Sequence, residues 1–235
     1  MNKEKHQPTA LFPKGHWDRP VPEPRGDHNT DAIFHAVGSA LTAWENAECA
    51  LAMLFQVMSR AEAPNAHNAL RRAFGSIESS AGRRKALEAT AEIYFAPYWE
   101  DPRVKKPFKA LMTAFELGSQ RRDEIAHGMA YSVAGDSDDL GAFLFPSEYN
   151  TQRTFPWMTS GDDPFGFTRA RYRYTSTMIC GFAIKFGELW RAVVDYIPTI
   201  AMVNGTPAVI LDALHGEGTA RKVAAIVAEQ EAAKT

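Results

Sequence analysis

One period constrains this chain more than any other feature. Ile33, Val37, Leu41, Trp44, Leu51, Leu54, Phe55 and Met58 recur at helical spacing. A helix gathers such positions onto one face, whereas a strand scatters them over two. Asn29-Thr30-Asp31 stands just ahead of the run. Short polar side chains there accept the free amides of a first turn, so the spacing predicts a long helix to about Arg60. A break at Ala63-Pro64-Asn65 introduces a second helix, expected from His67 to about Ser80. Gly82 separates it from a third, Arg83 to about Phe95. Pro97, Pro102 and Pro107 punctuate the next connection. Pro107 suits the first turn of a fourth helix, where a missing N–H breaks no helical bond.

The fourth helix carries a stripe of Phe108, Leu111, Phe115, Gly118, Arg122, Ile125 and Met129, spaced three and four apart. An arginine in an apolar stripe needs a partner or a cleft, because burying it alone is costly. Gly118 in the same stripe leaves room for another helix to approach. After Gly128 the period changes. Met129 to Val133, Gly141 to Pro146 and Phe167 to Thr175 are short aromatic or alternating runs, and Gly135-Asp136-Ser137-Asp138-Asp139 is a turn signal between the first two. A further long helix is expected from about Ser176 to Tyr196, stopped by Pro198. Two short helices should follow, one after Thr206-Pro207 and an Ala-rich one from about Thr219. The fold class is therefore all-α: a helical bundle with a small β-hairpin or short sheet inserted before the last core helix. The parts are a Pro-rich arm over 1–28, a helical domain over 29–200 with its insertion at about 129–175, and the short helices of 201–235.

A chain of 235 residues can bury one large core without disulfides or metals. Cys49 and Cys180 each stand in an apolar helical stretch and read as buried thiols, with no spacing for a zinc site. The formal net charge of -2 gives no global field to recruit nucleic acid, so RNA contact would fall to local basic patches. No apolar run is long enough to span a membrane, and the polar N-terminus lacks a signal-peptide core, so the cytoplasm is the expected location. Pro8, Pro13, Pro20, Pro22 and Pro24 crowd the arm, which reads as mobile or draped and dispensable for folding.

The segment Arg122-Asp123-Glu124-Ile125-Ala126-His127-Gly128 carries the clearest functional signal. It resembles the Arg-x(4–6)-His signature of HEPN domains, all-helical bundles that include many metal-independent endoribonucleases. The resemblance covers roughly Asp31 to Tyr196 and leaves the arm and tail outside. Asp123 stands where family members usually carry another polar residue, often Asn. The resemblance implies a HEPN-like bundle that pairs as a homodimer, a composite cleft with Arg122, Asp123 and His127 as catalytic residues, and no cofactor or metal. It also implies a toxin-like or defence role, with a neutralising protein as a further partner.

The chemistry can be stated from the residues alone. RNA cleavage without metal needs a base at the ribose 2′-OH, positive charge on the phosphorane and a proton for the leaving 5′ oxygen. Histidine can move the protons, and arginine can hold two phosphate oxygens in its planar fork. Arg122 and His127 are five apart and project about 140° from one another on a helix. Asp123 and His127 are four apart and share a face, so Asp123 is expected to hold the imidazole. A single helix offers one histidine, and a twofold dimer would supply a second.

Arg121 beside the motif, and Arg169, Arg171 and Arg173 alternating with Tyr172 and Tyr174, are the candidate RNA-binding residues. The alternating run has a second reading, with its arginines solvated and its tyrosines covering the core. The motif also has alternatives. Arginine, histidine and a following glycine suit an ordinary helix C-terminus, with Gly128 as its left-handed cap. The chain could then be a non-catalytic HEPN-like dimeric interaction or nucleotide-binding module, or a plain helical scaffold.

Overall fold

A computed structural model describes residues 11–60, 64–134, 139–147, 172–203 and 205–210. The protein is mostly helical. Helix α1 runs Thr30–Met58, α2 Pro64–Gly75, α3 Ser80–Tyr94 and α4 Pro102–Ala126. Strands β1 (Gly128–Ala134) and β2 (Asp139–Pro146) then form an antiparallel hairpin, followed by α5 (Ser176–Ile200). A minimal second pair, β3 (Met202–Val203) and β4 (Thr206–Pro207), comes after α5. No helix among the described residues is long and apolar enough to cross a membrane.

Local chemistry explains the boundaries, including those that differ from expectation. Asn29 caps α1, its Oδ1 accepting the amide of Ala32 at 3.2 Å. Helix α2 starts at Pro64, which fits a first helical position, and ends at Gly75 well before Ser80. Gly82 does not separate two helices. It lies in the first turn of α3, where its amide donates to the capping Ser79 Oγ at 3.0 Å, and a Cβ there would crowd that oxygen. Helix α4 begins at Pro102, so Pro107 lies inside it and removes one internal hydrogen bond. Likewise α5 runs through Pro198 to Ile200 instead of stopping before it. Cys49 and Cys180 are exposed, which corrects their reading as buried thiols. Residues 208–210 are helical, and the expected Ala-rich helix lies outside the described residues.

The described chain divides into two compact units. One includes Cys49–Glu116 and the segment from Arg191. Leu51, Leu54, Leu87, Phe95, Phe108 and Phe115 are among its buried side chains. Within this unit Tyr94 donates its hydroxyl to the carbonyl of Ile200 at 2.9 Å, and Arg60 lies 4.9 Å from the centre of the Tyr94 ring.

The other unit comprises Trp17–Glu48 and Leu117–Trp190. Its core includes Ile33, Trp44, Phe143, Phe145, Tyr174, Phe182 and Phe186. Trp17, from the arm, is buried too and stacks on Phe186 at a centroid distance of 6.0 Å. Gly118 leaves room, as expected, but side chains of the same chain fill it: a Cβ there would lie 3.2 Å from Trp44 and 3.3 Å from Trp17. The hairpin pairs Met129 with Phe145 and Tyr131 with Phe143. On its far edge β2 gains two more partners. Asp27 exchanges backbone bonds with Ala142, and Tyr174 with Leu144. This stretch of the arm is thus part of the unit's core and sheet edge, which overturns its reading as dispensable.

Candidate functional site

The motif occupies the last turn of α4 and its exit. Ile125 is buried, which fixes the rotation of the helix and hence the direction of its neighbours. Arg122 is half-buried, with its guanidinium 5.5 Å from the centre of the Trp44 ring. Its Nη1 lies 3.0 Å from Asp123 Oδ1 and its Nη2 4.0 Å from Glu48 Oε1. Two carboxylates and an aromatic face therefore meet the charge that the apolar stripe left unexplained.

His127 is the first residue past α4 and is exposed. Its amide closes the helix on the carbonyl of Asp123 at 3.1 Å. Its ring makes no hydrogen bond to another described residue, so the expected Asp123–imidazole bond is not formed. Asp123 instead contacts Arg122, its immediate neighbour. Gly128 opens β1 and is not among the glycines with positive φ, so it is not a left-handed cap. Close packing explains it instead: a Cβ would lie 2.6 Å from Leu144 Cγ.

The candidate RNA-binding arginines fall into three situations. Arg121 turns inward, 9% exposed, with Nη2 3.2 Å from Glu124 Oε1. Arg173 donates through Nε and Nη2 to the carbonyl of Glu23, at 3.3 and 3.2 Å, and lies over the Phe143 ring. Both are engaged within the chain. Arg169 and Arg171 lie outside the described residues. The tyrosines that alternate with them are core residues: Tyr172 and Tyr174 are buried and stack at 4.7 Å.

Two residues that matter were missed. The first is Glu124, in the middle of the motif and only 4% exposed. Its Oε1 accepts from Arg19 Nη2 at 2.6 Å and Nε at 3.1 Å, and its Oε2 accepts from the Tyr174 hydroxyl at 2.5 Å. Burial pushes the Tyr174 phenol far above its ordinary range, and the adjoining Glu124 charge pushes it further. Burial alone would lower Arg19, yet its hydrogen bond and charge pairing with Glu124 raise it above its ordinary value. The second is Glu48, which fills the empty helical slot between Trp44 and Leu51 on α1. An acid at a vacant core position was the available signal for it. Glu124 offered only its three-residue spacing from Arg121.

Among the described residues no cluster of three or more His, Cys, Asp or Glu side chains could hold a metal ion. The arrangement offers a partly exposed cation held over an indole, an exposed imidazole at a helix exit, and a buried carboxylate network beneath them. No family model, curated protein or solved structure matches this chain.

Proposed function

We propose that the chain is a HEPN-like helical bundle acting as a metal-independent endoribonuclease on cytoplasmic RNA, with Arg122 and His127 as its catalytic residues. The observation that carries the reading is the placement of the Arg-x4-His motif. It closes a long helix, with His127 exposed at the exit and the Arg122 side chain 23% exposed. In this mechanism an imidazole takes the proton of the ribose 2′-OH, and the 2′ oxygen attacks the adjacent phosphorus. The bond to the 5′ oxygen breaks, and that oxygen leaves with a proton from a second imidazole. Arg122 stabilises the phosphorane, exchanging its contacts with Glu48 and Asp123 for phosphate oxygens. A homodimer supplies the second histidine, and the products are a 2′,3′-cyclic phosphate and a 5′-hydroxyl. A toxin-like or defence role, with a neutralising protein partner, follows by analogy with the family.

A second reading rests on the same arginine. With Glu48 and Asp123 beside it, Arg122 already has its charge met inside the chain. This favours a non-catalytic interaction module in which the motif is a folding device. One experiment separates the two. With purified protein and a mixed-sequence RNA, Arg122→Ala and His127→Ala should each lower cleavage at least a hundredfold, and EDTA should leave it unchanged. A 2′-deoxy substitution at the scissile nucleotide should block that cut. Cleavage that needs magnesium, or that survives His127→Ala, defeats the nuclease reading.

A further inference from the structure

We infer that Glu124 is a positioning residue for this site, and that the N-terminal arm, through Arg19, is the element that holds it in place. The catalytic consequence rests on the nuclease reading above, whereas the structural lock does not.

The last carbonyls of any helix lack helical partners, so a helix tends to fray where this motif lies. Here Glu124 is tied at both its side chain and its main chain. Its carboxylate takes Arg19, Arg121 and the Tyr174 hydroxyl, while its carbonyl accepts from the Tyr172 hydroxyl at 3.1 Å. Arg19 also lies 5.4 Å from the centre of the Tyr172 ring, so one arm residue touches two members of the network. His127 follows Glu124 by three residues, and its departure from the helix is set by this last turn.

The arm is itself fastened on the far side of the network. The amide of Gly26 donates to the carbonyl of Leu140 at 2.8 Å, and Asp27 and Ala142 exchange bonds of 2.9 and 2.7 Å. A Cβ at Gly26 would lie 2.3 Å from the Ala142 carbonyl oxygen, so only glycine permits this approach. The Asp27 carboxylate caps α5, accepting from the amide of Ser176 at 2.7 Å and from its hydroxyl. Arg19 is thus presented from a strap held at Trp17 and again at Gly26-Asp27, not from a loose tail. Two guanidinium groups face one carboxylate, so neutralising Glu124 leaves like charges opposed as well as a bond lost.

The test uses the full chain with Arg19→Gln, Tyr174→Phe and, as a control, Glu88→Gln in α3. Amide hydrogen exchange is read over residues 124–130 and over α3, the His127 ring signal is read by NMR, and RNA cleavage is read as kcat and KM. The expected result is exchange at least tenfold faster over 124–130 with α3 unchanged. The His127 ring signal should shift, and kcat should fall about tenfold with KM within twofold. The control should change none of these. If Arg19→Gln does not fold, Tyr174→Phe alone decides, since it removes one hydroxyl and keeps both charges on Glu124. Unchanged exchange over 124–130, equal acceleration in α3, or an unmoved His127 ring overturns the lock. An unmodified protein without cleavage, together with the local exchange and ring changes, keeps the lock and defeats the nuclease reading.

Discussion

The two ends of α4 use the same residue types in opposite ways. At its start Asp101 and Arg103 form a close pair, and Lys105 meets Glu100 at 2.8 Å, with Lys105 and Glu100 side chains 36% and 82% exposed. At its end Glu124 is buried and shared by Arg19, Arg121 and Tyr174. Water at the first end already solvates each charge, so pairing adds little. At the second end the carboxylate of Glu124 is withdrawn from water, and its partners replace the solvation that burial removed. A motif placed over the second kind of end is held rigid by charges that also make it vulnerable.

The largest expected effect breaks that contrast directly. Glu124→Ala should destabilise the fold by about 3–5 kcal/mol, because it leaves the buried Arg121 and the partly exposed Arg19 without their carboxylate and the Tyr174 hydroxyl without its acceptor. Urea unfolding at neutral pH measures this. A loss of under about 1 kcal/mol would place Glu124 in the same class as the surface pairs.

A middle-sized effect tests whether the buried end is also packed tightly. Gly118→Leu should cost about 1–3 kcal/mol, since the added side chain meets Trp44 and Trp17 at once. Thr113→Leu, on the exposed face of the same helix, should change stability by less than about 0.5 kcal/mol. Thermal melts of the two variants should differ by several degrees. Because the space at Gly118 is filled from within the chain, a shift in its melting is a folding effect and not a measure of self-association.

The smallest effect belongs to the exposed start. The hydrogen bond from Arg103 holds the Asp101 carboxyl below its ordinary value of 3.8. Its contribution is therefore complete above about pH 4 and is lost as the pH falls through the lowered value. Asp101→Asn should leave the melting temperature at pH 7 almost unchanged and flatten its fall slightly on acidification. A drop of many degrees at pH 7 would show that this end is not the weak partner in the comparison.

Much of this architecture could be read from short stretches of sequence. The three-and-four spacing from Ile33 to Met58 gives α1, and Asn29 gives its cap. The turn signal after Ala134 gives the hairpin that leaves α4. Errors cluster at prolines and glycines. In the sequence Pro107 and Pro198 look like helix boundaries but lie inside helices, and Gly82 looks like a separator but lies within a capped first turn. Each has two uses in a chain, and only the neighbours in space decide which applies.

The sequence by itself determined the helices, the hairpin and the place of Arg122 and His127 at a helix exit, because periodicity and turn chemistry act between residues a few positions apart. Only the tertiary structure decided what the charges do. Arg19 and Glu124 are 105 positions apart and Tyr174 and Glu124 are 50 apart, so no local pattern announces their meeting. The arm looked disposable for the same reason. Its prolines forbid regular structure, yet Trp17, Arg19 and Asp27 find their partners on distant elements. Burial is what turns these ordinary side chains into a network, since a charge withdrawn from water must find its partner wherever the fold provides one.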